Sequence, residues 1–394
     1  MKRLLLLAAA LATNALAETT VAPTPALPAY GQSVGVELQG SSSPVFLPAT
    51  RYTKSGSSIL VEYEYLSPAF GPYPPMGTMF GSSNVSVGEL APGNYAVTAR
   101  LTDLNHPEAT QTLTSNVAVT PPSDWGLYAV PHAPLASDRV QMVIHSAAYF
   151  DPSTLQASVS GNTIRVDFAY RASAPVGGAV PPGLTSFASV DVGRLAPGAY
   201  HAEGWARPDS GGDEQRYFTL DFTVSSESNV TEFYARSLDH YFISASGDEV
   251  DLVDAGGQGA WMRTGQSFHA WLRAEDAPPG AQPVCRFYAA GPNSHFYTAS
   301  ADECAGLKSL EQAQRADAAA LGQPFLGWAY EGIAFYALVP ANGQCPSATL
   351  PVWRSYNDRA AQDDSNHRFT VDPEQHLAMQ GWVDEGPVFC SPSS

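Results

Sequence analysis

The sequence predicts an all-β protein: two tandem β-sandwiches followed by a threefold-repeat, β-trefoil-like module with one inserted helix. Three observations lead there. Two segments recur at a single offset of 105 residues, and a shorter aromatic pattern recurs three times after Val230. Gly and Pro are abundant, at 33 and 32, while charged residues make up only 15% of the chain. Tyr, Phe, Val and Thr come in short runs, as strands with turn punctuation require.

The N-terminus opens with Lys2 and Arg3, then an apolar run from Leu4 to Leu11, then Asn14-Ala15-Leu16-Ala17 before Glu18. Cations, an apolar core and an A-x-A site in that order form a secretory signal, so residues 1–17 are expected to be cleaved. Leu4 to Ala17 is shorter than the ~20 apolar residues that cross a bilayer. No second apolar stretch of that length follows. The mature chain is therefore expected to be soluble, secreted or periplasmic, without membrane insertion and monomeric. Its formal net charge of −18 repels phosphate backbones, which need Lys and Arg to displace counterions. Nucleic acid and anionic membranes are poor partners on that ground, and acidity also keeps an exported protein in solution.

The length of 394 residues predicts two or three domains. Ser55 to Tyr65 read SGSSILVEYEY and Ser160 to Tyr170 read SGNTIRVDFAY; at the same offset VGELAPGNY at Val87 to Tyr95 answers VGRLAPGAY at Val192 to Tyr200. Ile59, Val61, Tyr63 and Tyr65 alternate, as do Ile164, Val166, Phe168 and Tyr170, which marks strands with one buried face. The L-A-P-G-x-Y segment supplies a turn and then a strand-opening Tyr. It resembles the tyrosine corner of Ig-like sandwiches, in which the hydroxyl bonds back to the preceding turn. Residues 22–121 and 122–226 are accordingly read as two Ig-like β-sandwiches joined at Thr120-Pro121-Pro122-Ser123. They look like spacers, with Tyr95 and Tyr200 structural. The loop from Ser67 to Met79, rich in Pro, Gly and aromatics, is the one stretch here that could form a recognition surface, beside its plainer reading as a long inter-strand loop.

From Val230 the pattern shortens. Copy one runs Phe233-Tyr234, His240-Tyr241-Phe242, Trp261, Gly265, Phe268. Copy two runs Phe287-Tyr288, His295-Phe296-Tyr297, Trp328, Gly332, Phe335, and copy three runs Tyr356, His367-Arg368-Phe369, Trp382, Gly386, Phe389. W-x-x-x-G-x-x-F keeps its spacing while the segments between vary, as a strand framework with tolerant loops does. Each copy also carries an acidic element: Asp248-Glu249, Asp302-Glu303, or Glu374. About four strands per copy would give the twelve of a β-trefoil, whose closure removes sheet edges. In copy two, Cys304, Leu307, Leu310 and Leu321 fall at roughly helical spacing, so the one helix is placed at Asp302 to Leu321. All four cysteines, Cys285, Cys304, Cys345 and Cys390, lie in this part, and an even count in an exported chain implies two disulfides. Three connectivities are open. Cys285 with Cys304 and Cys345 with Cys390 is favoured because each pair lies within or closes one segment.

The strands VCRFY at Val284 to Tyr288, NSHFYTAS at Asn293 to Ser300 and GWAYEGIAFYA at Gly327 to Ala337 resemble the repeats of domain-of-unknown-function family 5648, over about Val230 to Pro392. Copy one departs with Arg263-Thr264-Gly265 where the pattern prefers Tyr-Glu-Gly, and copy three with Ser355 where an aromatic is usual. The resemblance implies a terminal accessory module of an exported protein and supplies no catalytic residue.

Candidate binding residues are those that recur. His240, His295 and His367 could converge under threefold symmetry as a three-His site, but no carboxylate at a fixed spacing is there to orient the rings. Structural hydrogen bonding is their leading reading, ligand contact the next, and no metal is expected. Trp261, Trp328 and Trp382 could stack on sugars or serve as core. Glu331 and Glu385, with Thr264 in copy one, could accept sugar hydroxyls. There is no HExxH, no G-x-S-x-G, no P-loop and no G-x-G-x-x-G after a strand. The expectation is a non-catalytic adhesion or binding protein without cofactor, whose repeat module recognises an extracellular ligand, with a glycan as the leading candidate. The alternatives are a structural or protein-interaction component that binds an envelope protein, and a glycan hydrolase, whose paired carboxylates no sequence excludes.

Overall fold

The computed structural model describes residues 20–39, 45–66, 84–103, 108, 110–172, 180–259 and 261–393. The signal segment and the loop from Ser67 to Met79 lie outside the described residues. The chain is all-β apart from a few helices, and it divides into two compact units that meet in the sequence at Ser225 and Ser226.

Among the described residues the first unit holds fourteen strands in two sets of seven. The first set is β1 (Thr20–Thr24), β2 (Ser33–Gln39), β3 (Val45–Ser55), β4 (Ser58–Leu66), β5 (Asn84–Glu89), β6 (Gly93–Asp103) and β7 (Gln111–Val119). The second is β8 (Gly126–Val130), β9 (Arg139–Phe150), β10 (Gln156–Ser160), β11 (Thr163–Tyr170), β12 (Thr185–Arg194), β13 (Gly198–Pro208) and β14 (Gln215–Val224). Strand follows strand at nearly the offset of the sequence repeat, and the pairing repeats with it. β2 lies between β1 and β5, as β9 lies between β8 and β12. β4 pairs antiparallel with β3 and parallel with β6, as β11 does with β10 and β13. Gly56 and Gly161 occupy the turns before β4 and β11, both at φ +57°, a left-handed conformation open to glycine.

Period-two alternation buries one face. Ile59, Val61, Tyr63 and Tyr65 join Val34, Val36, Val97 and Leu101 in one core, and Ile164, Val166 and Phe168 join Met142, Ile144 and Phe150 in the other. The tyrosine corners form as the turn sequence predicts: Tyr95 donates to the Ala91 carbonyl at 2.7 Å and Tyr200 to that of Ala196 at 3.0 Å. Between the two sets Tyr30 donates to the Ala129 carbonyl at 2.7 Å, beside a small cluster of Ala91, Val130 and Val143.

The second unit contains three lobes of one plan. Lobe one has β15 (Glu227–Ala235), β16 (His240–Ser244), helix α1 (Gly247–Asp254) and β17 (Trp261–Trp271). Lobe two has β18 (Gln282–Ala289), β19 (Ser294–Thr298), α2 (Ala301–Leu321) and β20 (Trp328–Ala337). Lobe three has β21 (Thr349–Tyr356), β22 (His367–Thr370), α3 (Pro373–Leu377) and β23 (Val383–Pro392). The first strand of each lobe is central, flanked by the second and third. That makes nine strands where the repeat suggested twelve, because each Trp-to-Phe segment is one long bulged strand and not a hairpin. Gly265, Gly332 and Gly386 sit in those irregular stretches at φ +82°, +125° and +79°, which explains why the Gly of W-x-x-x-G-x-x-F recurs.

The single expected helix is present as α2, but each lobe has a helix at the same point. Those of lobes one and three span eight and five residues, too few turns for periodicity to register. Of the apolar stripe on α2 only Cys304 is buried; Leu310 is 43% exposed and Leu321 71%. The two disulfides join Cys285 to Cys304 and Cys345 to Cys390. The shared core draws one residue of each kind from every lobe: Val230, Val284 and Val352; Ile243, Tyr297 and Phe369; Phe268, Phe335 and Phe389.

Candidate functional site at the lobe junctions

Strand register corrects the histidine alignment. Tyr234 faces Tyr241, Tyr288 faces His295, and Tyr356 faces His367. His240 instead faces Ala235, as Ser294 faces Ala289, and the next pair in lobe three, Asn357 and Asn366, is bridged from the Asn357 amide to the Asn366 carbonyl. The equivalent sets are thus Tyr241, His295, His367 and His240, Ser294, Asn366. A shared His at the head of the second strand hid a one-residue shift, which in a strand moves a side chain to the other face.

The set of His240, Ser294 and Asn366 is buried and polar, and the lobes meet through it. Asn366 donates to Ser294 Oγ at 2.8 Å and to the Tyr241 carbonyl at 2.9 Å, and accepts from the Tyr241 amide at 2.7 Å. His240 Nε2 lies 2.7 Å from Asp364 Oδ1. The other set takes part in a ring of contacts that runs once around the lobes. Phe242 of lobe one lies against His295 of lobe two, at 5.3 Å between centroids. Phe296 lies against His367 at 4.8 Å, and the Arg368 guanidinium covers Tyr241 at 4.4 Å. The three histidines therefore face different partners, and among the described residues no three His, Cys, Asp or Glu gather as a metal would need.

Beside each ring contact an arginine clasps two lobes. Glu249, third residue of α1, receives Arg286 of lobe two at 2.7 and 2.8 Å and the Ser244 hydroxyl at 2.5 Å. Glu303, third residue of α2, receives Arg354 of lobe three at 3.3 Å from two nitrogens and the Thr298 hydroxyl at 2.5 Å. At the last junction the charges are exchanged. Arg368 of lobe three bonds Gln375, third residue of α3, at 2.5 Å and reaches Glu232 of lobe one at 2.9 and 3.0 Å. Glu232 stands where Arg286 and Arg354 stand in the other lobes. Arginine suits this role because its planar fork meets a carboxylate at two points.

The expected Glu331 and Glu385 join the first two clasps. Each precedes a bulge glycine, which directs it back over the central strand; Glu331 Oε2 lies 2.7 Å from Arg286 Nε and Glu385 Oε2 lies 2.7 Å from Arg354 Nε. Burial works against the charge of Glu249, but its bonds to Arg286 and Ser244 outweigh burial and hold its carboxyl below the usual range. Glu303 is held low in the same way by Arg354 and Thr298, whereas burial lifts Glu385. Burial, aided by the neighbouring Arg286, presses His295 down to about 3, and burial with Arg354 does the same to His367. His295 Nε2 lies 2.9 Å from Arg286 Nη2. A guanidinium only donates, so this nitrogen accepts and the proton sits on Nδ1. That Nδ1 is buried without a hydrogen-bond partner, as is Nδ1 of His367.

The tryptophans do not form a trio of exposed platforms. Trp261 is 7% exposed and packs edge-on to Phe242 at 4.9 Å. Trp328 and Trp382 are half-buried, against Phe296 and Tyr241. Lobe one thus uses its tryptophan as core, and the others keep one side partly open.

The first junction opens into a cleft. Between lobes one and two, a space of about 280 Å³ is lined by Ser244, Ser246, Glu249, Arg286 and Glu331 on its polar side and by Ile333 and Ala334 among its apolar residues. Ser246 caps α1 by accepting from the Glu249 amide. Glu249 and Glu303 are visible in the sequence as acidic elements and Arg368 stands in the third His motif, but their partners Arg286, Arg354 and Glu232 are not marked by repetition, because that strand position exchanges Arg for Glu. A signal was present in the capping motif S-x-x-E, which recurs as Ser246 to Glu249 and Ser300 to Glu303.

The repeat of three lobes over these strands is the observation that the VCRFY, NSHFYTAS and GWAYEGIAFYA segments anticipated. Residues 230–392 match the domain of unknown function DUF5648. The DUF5648 region therefore coincides with the second unit, from the shared-core Val230 to the end of β23. No curated protein and no solved structure matches the chain. Among the described residues no helix is long and apolar enough to cross a membrane, and no cysteine is unpaired. The two disulfides are compatible with an extracellular or periplasmic protein.

Proposed function

We propose that the chain is an exported, non-catalytic binding protein whose three-lobed module holds part of an extracellular glycan in the cleft between lobes one and two. The observation that carries this reading is the make-up of that cleft. Glu331 and the serine hydroxyls offer hydrogen-bond partners on one side, and Ile333 with Ala334 offers an apolar wall. Sugar rings present hydroxyls at the edge and C–H groups on the face, so a cleft polar on one side and apolar on the other suits them. At about 280 Å³ it lies at the small end of ligand sites, which favours a terminal sugar or a short stretch.

In this reading the first unit is a spacer of two Ig-like sandwiches. The tyrosine corners and the seven strands of each set support it, and the parallel pairing of β4 with β6 is a departure from the type. The module is a trefoil-like body in its threefold repetition, with a three-stranded sheet and a helix per lobe. A hydrolase would need one carboxyl able to give up a proton beside an ionised partner. In the cleft both oxygens of Glu249 accept from Arg286, and its carboxyl is held ionised, so it is a poor acid.

The test is a glycan array that includes peptidoglycan fragments, probed with the full chain and with Ile333→Ala. The expected result is a defined set of signals for the wild type that weaken in the variant. Silence across the array would overturn the glycan reading and leave envelope proteins to be sought by pull-down.

A further inference from the structure

We infer, resting on the cleft reading above, that the preferred ligand is a sugar bearing a protonated amine, recognised by Glu331. The argument begins with charge. The cleft is lined by two carboxylates, Glu249 and Glu331, and one guanidinium, Arg286. Glu249 uses both its oxygens on Arg286 and Ser244. Glu331 approaches Arg286 most closely through Oε2, which also lies 3.6 Å from His295 Nε2; its side chain is 37% exposed, and its other oxygen receives no hydrogen bond from the described residues.

The cleft therefore holds one negative charge in excess, and it sits on an acceptor that is wet, half-committed and beside an apolar wall. Such an acceptor gains most from an ammonium, because a charge-assisted bond is about twice as strong as a neutral one. A uronic acid brings a third carboxylate into the same space and meets repulsion. A neutral hydroxyl satisfies Glu331 with the weaker bond. The hydroxyls beside an amine on a pyranose would face Ser246, and the ring face would rest on Ile333 and Ala334, which line the same cleft. The whole chain carries a formal net charge of −18, which draws any cation, so the test must separate this site from the general field.

The test uses the full chain in calorimetric titrations with soluble oligomers of glucosamine, of N-acetylglucosamine and of galacturonic acid, at mildly acidic pH and moderate salt. Glucosamine oligomers should bind roughly fivefold or more tightly than the acetylated ones, the size of one partly exposed ion pair, and the uronate should not bind. Glu331→Gln should erase that preference while leaving the weaker binding of the acetylated oligomer. Glu385→Gln, at the junction of lobes two and three, should keep it. Acetylated or uronate oligomers binding as well as glucosamine would overturn the amine claim and leave the cleft reading standing. A preference that survives Glu331→Gln would show that the amine sits elsewhere, and failure of all three oligomers to bind would sink the claim outright.

Discussion

Phe242 of lobe one and His295 of lobe two lie with ring centroids 5.3 Å apart, and this contact is the first step of a closed circuit through all three lobes. Phe242 is 4% exposed and also meets Phe233 and Trp261. Phe242→Ala should therefore reach beyond its own lobe. The expected loss is about 3–5 kcal/mol for a buried Phe, measured by chemical denaturation, with the whole module unfolding in one earlier transition. A separate early transition of lobe one alone would contradict the circuit.

The buried histidines set a pH dependence. With His295 and His367 at about 3 in the folded protein and about 6.5 when unfolded, the unfolded chain binds the extra protons between those values. Stability is then fully present above about 6.5 and falls as the pH drops toward 3. Replacing both by Tyr, the residue lobe one carries as Tyr241, should flatten that slope in denaturation curves taken across the window. An unchanged slope would mean that the imidazoles are solvated.

The Arg286 clasp should show the asymmetry of partly buried ion pairs. Arg286→Ala leaves Glu249 without its main partner and should cost about 3 kcal/mol, while replacing both by apolar residues of similar size should cost much less. Denaturation of the two single variants and the double variant reads this directly. Equal losses in the single Arg variant and the double variant would contradict it.

Helix α2 has Cys304 as its one buried residue, so the bond to Cys285 is its main anchor. Replacing both by Ser opens a loop with a sequence separation of 19 and should lower stability by about 3 kcal/mol. Cleavage near Leu310 and Leu321 by a protease of apolar specificity should then begin before global unfolding. Resistance equal to that of the oxidised chain would show that packing, and not the bridge, holds the helix.

How much of this could be read from the residues differs between the units. In the first unit, alternation, a constant offset and turn chemistry name the strands and the tyrosine corners, because each is a local rule. In the second, the repeat and the core positions were legible through Trp, Gly and Phe. The junctions were not, since Glu232 stands where Arg286 and Arg354 stand and Arg368 stands where Phe242 and Phe296 stand. A clasp between lobes preserves pairing and not identity, so a search for repeated residues passes over it. The His alignment misleads for a related reason: the spacing from Tyr234 to Tyr241 equals that from Tyr288 to His295, so lobe one carries Tyr in the histidine slot and its own His240 one position earlier, in the slot of Ser294 and Asn366.

The central claim, a glycan held between lobes one and two, is tested most directly by amide hydrogen exchange of the full chain with and without its strongest array ligand. The account predicts slower exchange at residues 243–249 and 331–334, and little change in the first unit. Protection confined to the strands of the first unit, or none in the segments that line the cleft, would contradict it.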